Sequence, residues 1–514
     1  MRERLLAIDV GTQSVRAILF TPSGDIAAQA QVPIEPYFSR EPGWAEQEPD
    51  LYWDSMGQAC RALWAQADPA SVSGLALTTQ RGTVLCIGND DTPLRPAIIW
   101  LDQRHTEGVP PVGGFWGLAF RLLGVHQTIA KFQSEAEANW IARQQPELWQ
   151  QTRRFVLLSG FLNFRLTGRW VDSVGSQVGY IPFDYKKHDW AADGDWRWQA
   201  MPLKREQMPE LRPPGSPLGG LTAAAARHLG LAAGTPVLAA AADKACEVLG
   251  AGCVAPEQAC LSFGTTATIN TTVPKYTEVE RFIPPYPAAL PGAYSTEIQI
   301  YRGFWMVSWF KRQFADREQR LAEERGIAPE ALFDELLAQV PPGSMGLTLQ
   351  PYWSPGTRDP GPEAKGAIIG FGDVHTRAHV YRAILEGLAY GLRDGAEKTA
   401  KRSRPLDSLR VAGGGSQSDG AMQLTAEMFG MTAQRPHVFE TSALGAAINI
   451  AVGQGLYPDY PAAVAAMTRL RDEFTPDPEA QATYEALYRR VYQPMYRRLQ
   501  PLYREIREIT GYPQ

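Results

Sequence analysis

Asp9 stands between two apolar runs in the stretch LLAIDVGTQSVRAILF (residues 5–20), followed closely by Gly11, Thr12, Gln13, Ser14 and Arg16. These types in this order suit the handling of phosphate. A glycine permits a tight turn with positive φ, in which successive backbone N–H groups converge on an anion. Thr12, Gln13 and Ser14 add side-chain donors, and Arg16 adds a fixed cation matched to phosphate oxygens. Asp9, closing a strand, is placed to hold Mg²⁺, which takes oxygen ligands and sheds its water reluctantly. Taken alone, a plain polar hairpin turn would read the same way.

The device returns. ACLSFGTTATINTT (259–272) has an apolar strand, then Gly264, Thr265 and Thr266, then a second strand. Two such turns strengthen the phosphate reading, although neither is a Walker loop of the G-x-x-x-x-G-K-[ST] type. A third turn, Gly413-Gly414-Gly415-Ser416, precedes an amphipathic helix. The N-terminal end of that helix favours a nucleotide's phosphates, and the glycines admit a flat base closely; an N-cap at Ser416 is compatible with that role. Asp243 ends the apolar run TPVLAAAAD and opens another helix. It reads either as an N-cap or as a carboxylate facing the crevice at a strand's C-terminal end. In the second case it takes the proton from a hydroxyl that attacks a γ-phosphate.

The elements that must hold these residues alternate between strand and helix, which indicates an α/β protein. The chain opens as a hairpin, LLAID then VRAILF, continuing through TPSGD into IAAQAQVPI. A helix is expected over 50–66, then strands at SVSGLALTT and TVLCIGN, and helix throughout 134–168 up to the glycine ending FLNFRLTG. Repetition of the β-turn-β device predicts two related halves facing one cleft. The division is placed near residue 250, at the end of KACEVLGAG. Residues 1–250 then carry the first phosphate loop and Asp243, and residues 251–514 carry the second loop, the glycine-rich turn and a helical tail. That tail, from about 476, is rich in Tyr and Arg and is expected to pack back on the body.

Composition narrows the class. The chain has 514 residues, 44% hydrophobic and 20% charged, which suits a globular protein of at least two domains. A net charge of -5 provides no basic footprint for nucleic acid. No apolar run is long enough for a membrane span, since Arg227, His228 and Pro236 interrupt the Ala-rich segment 221–242. The N-terminal apolar run is too short for a signal peptide, and five scattered cysteines (Cys60, Cys86, Cys246, Cys253, Cys260) without C-x-x-C suit a reducing cytoplasm.

Together these residues resemble the FGGY carbohydrate kinases, the group containing glycerol kinase, xylulokinase and ribulokinase. The likeness runs from about residue 4 to residue 460. AIDVGTQSVRAILF is similar to the family's first phosphate loop, and EPGWAEQEPDLYW to the segment after it. TTQRGTVLCI and IIWLDQR resemble its substrate-side strands, LSFGTTATI its second phosphate loop, and LQPYWSPGTRDP the approach to its second signature. GAIIGFGDVHTRAHVYRAILEG (366–387) resembles that signature, with Phe371 where an aliphatic residue is usual. VAGGGSQSDGAMQLTAEMFG with ETSALGAAI resembles the adenosine site.

The resemblance implies two ribonuclease-H-like domains, of the actin and hexokinase type, flanking a catalytic cleft. It implies ATP as co-substrate, Mg²⁺ near Asp9 and Asp243, a small sugar or polyol as acceptor, no nucleic acid or membrane partner, and a possible homodimer. It makes Asp243 the base. It gives Gly11, Thr12, Gln13, Ser14, Arg16, Gly264, Thr265 and Thr266 to the β- and γ-phosphates, and Gly414, Gly415, Ser416 and Ser418 to adenosine. Gln80, Arg81, Trp100, Asp102 and Lys244 should border the acceptor beside Asp243. Where glycerol kinases have Gln-Arg-Glu this chain has Gln80-Arg81-Gly82, so glycerol is disfavoured, and the Met-His of xylulokinases is absent too. Lys244 replaces a usual amide and is expected to lower the pKa of Asp243 or to bind substrate. TIAKFQSEAEANW matches the first signature loosely. Two other functions share these motifs: an acceptor-independent ATPase of the actin and chaperone type, and a non-catalytic sugar sensor.

Overall fold

A computed structural model describes residues 3–512 except 36, 328, 355 and 357–359; part of LQPYWSPGTRDP therefore lies outside the described residues. The first sheet is built on β1 (Arg4–Val10), β2 (Ser14–Phe20), β3 (Ile26–Pro33), β4 (Val72–Thr79), β5 (Pro217–Gly220) and β6 (Pro236–Leu238). Its spatial order is β5-β6-β4-β1-β2-β3. The second sheet uses β7 (Gln258–Phe263), β8 (Ala267–Val273), β9 (Tyr286–Pro287), β10 (Tyr294–Ile300), β11 (Ser408–Ala412), β12 (Ala433–Pro436) and β13 (Leu470–Phe474). Its order is β9-β10-β8-β7-β11-β12-β13.

Both sheets follow one plan. The founding strand pairs antiparallel with the next strand across a Gly-Thr turn, and parallel with a strand reached by a long crossover. The expected α/β architecture of two ribonuclease-H-like domains is therefore present. β1 is buried on both faces, which explains why LLAI reads as an unbroken apolar run rather than an alternation.

Each face of β1 has its own cover, because successive side chains point to opposite sides. The helices that position the site are α1 (Pro49–Leu63), α2 (Asp243–Gly250), α3 (Arg377–Arg402), α4 (Asp419–Phe429) and α5 (Thr441–Gly453). Leu6 and Ile8 pack with Tyr52, Met56 and Leu63 of α1. Leu5 and Ala7 pack with Leu444, Ala447 and Ile448 of α5, which comes from late in the chain. Helices α2 and α5 cross backbone to backbone. A Cβ on Gly250 would meet the carbonyl oxygen of Thr441 at 1.9 Å, and one on Gly445 would meet that of Cys246 at 2.0 Å.

The tail packs back as expected. Tyr484, Tyr488 and Tyr492 are buried against α3, where Tyr484 and Glu386 enclose the Arg382 guanidinium. One element differs from expectation. The stretch 134–168 is not helical throughout: Arg154–Leu157 is a strand paired with Val84–Ile87. Its four apolar-rich residues were too few to break the helical periodicity on either side. All five cysteines are buried and unbonded. Among the described residues no helix is long and apolar enough to cross a membrane.

Candidate active site

The first turn is short because Asp9 pairs with Arg16 and Val10 with Val15, leaving four residues, Gly11 to Ser14, to close the hairpin. Gly11 N–H donates to the Ser14 carbonyl at 3.0 Å. Contrary to the sequence expectation, neither Gly11 nor Gly264 has positive φ. Gly11 sits close to its own hairpin instead: a Cβ there would lie 3.3 Å from the Ser14 carbonyl oxygen, a tight contact. Gln13 is exposed and Ser14 is buried.

Thr12 belongs to a buried hydrogen-bond chain that enters from α1. The Thr12 hydroxyl donates to Gln80 Oε1 at 2.5 Å and accepts from Trp100 Nε1 at 2.9 Å. Gln80 Nε2 donates to the Tyr52 hydroxyl at 2.8 Å, and that hydroxyl donates to Gln47 Oε1. Gln80, expected at the acceptor, has both ends of its amide engaged beneath the turn. Asp102, also expected there, accepts from the Ala45 N–H and from Arg104 through both oxygens. Both residues are held as struts in this conformation. Trp100 is exposed by 39%, so its ring faces open space while its N–H holds Thr12.

Arg16 donates to Asp9 at 3.2 Å and lies 3.7 Å from Glu440, the residue before α5. Its Nε is buried without a hydrogen-bond acceptor. Burial pushes the Asp9 carboxyl up to about 7; Arg16 opposes that shift, while Asp243 and Glu440 add to it. Asp243 is the first residue of α2 rather than its cap: the cap position is Ala242, and Asp243 Oδ1 accepts from the Lys244 N–H at 2.7 Å. Burial raises its pKa. Arg81 and then Lys244 pull it down without reversing the shift, so the expected lowering by Lys244 is outweighed.

Lys244 itself donates to Glu247 at 2.8 Å and to the Ser262 hydroxyl at 2.5 Å. Burial works against its charge, yet Glu247 and Asp243 raise its pKa. Arg81 makes a two-pronged bond, 3.0 and 3.1 Å, to Glu297 of β10, and stacks 5.2 Å above the Tyr286 ring. Glu247, Glu297 and Glu440 were not foreseen. Only Glu247 left a local sign, three residues after Lys244 where an i,i+3 pair meets on a helix.

In the second turn Gly264 and Thr266 are half-buried and Thr265 is exposed. Their strand end is braced by the Phe304 N–H on the Gly264 carbonyl, 3.0 Å, and by Gly303, where a Cβ would lie 2.1 Å from the Ala267 nitrogen. In the third turn Gly413 has φ +84°, and its Cβ would press on the Phe263 backbone at 3.0 Å. Above Gly414 nothing lies within 4 Å, while a Cβ on Gly415 would meet the Phe304 ring at 2.4 Å. Ser416 donates to the Gly413 carbonyl inside a 3₁₀ turn, Gly414–Gln417. The cap of α4 is Ser418, which accepts from the Ala421 N–H at 3.0 Å, so the expected cap at Ser416 is displaced by two residues.

Comparison with known proteins agrees with this geometry. The model of the FGGY carbohydrate kinase N-terminal domain matches residues 4–250, and that of the C-terminal domain matches residues 259–454. An uncharacterized sugar kinase, YgcE, of Escherichia coli is 28% identical over 496 residues, covering 96% of this chain and 93% of that protein. A xylulose kinase of Staphylococcus epidermidis is 24% identical, covering 99% and 100%. The crystal structure of xylulose kinase from Rhodospirillum rubrum superposes with a TM-score of 0.81 at 26% identity, covering 98% of this chain and all of that one.

Proposed function

The chain belongs to the FGGY family of carbohydrate kinases, ATP-dependent phosphotransferases with small-molecule acceptors, and we propose that Asp243 is its catalytic base. The acceptor is a hydroxyl of a sugar, ketose or polyol. The observation that carries the reading is Asp243 itself. It is a half-buried carboxylate at the start of α2, facing both Arg81 and Asp9 electrostatically, with its pKa raised by desolvation.

The acceptor hydroxyl donates its hydrogen bond to Asp243 and attacks the γ-phosphorus in line. A new P–O bond forms, the bond to the β-phosphate oxygen breaks, the proton passes to Asp243, and ADP leaves. Gly11, Thr12, Gln13 and Ser14 in the first turn, and Gly264, Thr265 and Thr266 in the second, offer backbone and hydroxyl donors to the β- and γ-phosphates. Arg16, paired with Asp9 and 3.7 Å from Glu440, adds a cation beside them. Gly414, Gly415, Ser416 and Ser418 line the adenosine side, where the space above Gly414 admits a flat ring.

Mg²⁺ fits this donor set. Asp9 and Asp243 repel one another, and a cation between them removes the cause of that repulsion. Among the described residues no group of three or more His, Cys, Asp or Glu stands close enough to hold a metal alone, which suits an ion that keeps waters and phosphate oxygens as ligands. Asp9 and Asp243 would hold the ion, which would supply positive charge to balance that of the phosphates.

The test is ADP release from Mg-ATP with a panel of ketoses, aldoses, sugar acids and polyols. One acceptor should stimulate release strongly. Asp243→Asn should lower kcat roughly 10²–10⁴-fold while leaving ATP binding and folding intact. Near-normal turnover by the folded variant refutes the assignment.

A further inference from the structure

Arg81 is an acceptor-side cation whose charge is cancelled from across the cleft. It follows β4 of the first sheet, whereas its partner Glu297 lies on β10 of the second. The pair is a planar fork, Nη1 to Oε2 at 3.1 Å and Nη2 to Oε1 at 3.0 Å. Asn270 Nδ2 donates a further bond to Glu297 Oε2 at 3.1 Å. The side chains of Arg81 and Glu297 are only 18% and 6% exposed. The neighbouring cation Lys244 is paired in the same way, with Glu247 at 2.8 Å. Around Asp243 the five charges Arg81, Lys244, Glu247, Glu297 and Asp243 therefore sum to one negative charge.

We propose that Glu297 is a specificity-determining residue: by occupying the Arg81 fork it keeps the acceptor pocket closed to sugar acids and open to uncharged sugars and polyols. A carboxylate on an acceptor is normally captured by a guanidinium through two parallel bonds. Here the paired Nη atoms of that fork already serve Glu297. An anionic acceptor would also bring a second negative charge beside Asp243 and the phosphates of ATP. An uncharged polyol meets neither obstacle, and its hydroxyls can still accept from the remaining Arg81 donors. The inference rests on the reading of Arg81 and Asp243 as the acceptor side.

The experiment compares wild type, Glu297→Gln and Glu297→Asp on matched alditol and aldonate pairs: glycerol with glycerate, arabinitol with arabinonate, glucitol with gluconate. Both kcat/KM and calorimetric Kd in the presence of Mg-ADP are read, so a pair that is bound but not turned over still decides. Wild type should prefer the alditol. Glu297→Gln should raise the aldonate-to-alditol ratio about ten-fold or more, the scale of one uncompensated charge at contact in a partly wet site. The change should fall on acceptor KM or Kd, with KM for ATP unmoved, and Glu297→Asp should keep the wild-type preference. A wild type that prefers aldonates, or a Glu297→Gln protein that loses both members of each pair equally, overturns the proposal. Asp243→Asn run alongside separates the two readings. Retained turnover there refutes the base assignment, whereas the ratio in Glu297→Gln tests the pairing alone.

Discussion

Tyr52→Phe removes one oxygen from the middle of the chain that holds the first phosphate turn. The Tyr52 hydroxyl is fully buried, accepts from Gln80 Nε2 at 2.8 Å and donates to Gln47 Oε1. Phenylalanine fills the same space, so no cavity forms, and the loss is confined to two polar groups left without that partner. Each buried unsatisfied group costs about 1–3 kcal/mol, and Gln47 keeps a bond from its Nε2 to the Glu35 carbonyl, so a total of about 3 kcal/mol is expected. In a chain with domains of this size that lowers Tm by roughly 6–12 °C, measurable by calorimetry. Function should suffer too, because Gln80 Oε1 is the acceptor for Thr12. With Gln80 free to turn, KM for ATP should rise about three- to ten-fold, an effect of roughly 0.7–1.4 kcal/mol, while KM for the acceptor changes less. If Tm falls by less than about 2 °C and KM for ATP is unchanged, the chain does not hold the turn and the reasoning fails.

Three other substitutions test separate parts of the argument. Lys244→Met removes a cation that draws down the pKa of Asp243 and leaves Glu247 unpaired; both changes raise the Asp243 pKa further. A base must be ionised to accept a proton, so the acidic limb of the kcat/KM profile should move to higher pH, and an unmoved limb contradicts this role. Gly445→Ala places a methyl 2.0 Å from the Cys246 carbonyl oxygen, one turn from Asp243. It should cost about 1–3 kcal/mol in thermal unfolding and also lower kcat, whereas a stability loss without a kcat change would show that the helix crossing does not aim the base. Tyr484→Phe breaks the buried bonds to Glu386 and Arg382, so it should cost about 2–3 kcal/mol in denaturant unfolding and leave every KM where it was.

The candidate phosphate and base residues stood out in the sequence because phosphate chemistry restricts the residue types it can use. A strand running into Gly-Thr occurs twice in the chain, after Val10 and after Phe263, and the first of them also carries Asp9. The founding strands were equally legible: burial on both faces makes their sequences continuously apolar. What stayed hidden were the partners. Glu297 follows Arg81 by more than two hundred residues and Glu440 follows Arg16 by more than four hundred, and no periodicity joins such pairs. Gln80 and Asp102 show the converse case. Their types and positions suited an acceptor pocket, but a buried amide or carboxylate must satisfy its bonds somewhere, and Thr12, Tyr52 and Arg104 were closer.

The glycines divide along the same line. A turn sequence advertises a glycine but not the reason for it. Only Gly413 among the three turns takes positive φ, whereas Gly11 lies close against its own hairpin. Gly250 and Gly445 stand in KACEVLGAG and ETSALGAAI, stretches read for a domain division and an adenosine site, and neither glycine was read as a helix contact. Yet they let α2 and α5 touch through their backbones, and α2 begins with Asp243. A helix is stiff over eight residues, so the contact at Gly445 and the carboxylate at Asp243 move as one body. Both helices pack on Leu5, Ala7 and Ala76 of the first sheet, so the position of Asp243 over an acceptor depends on a crossing that only the folded chain reveals.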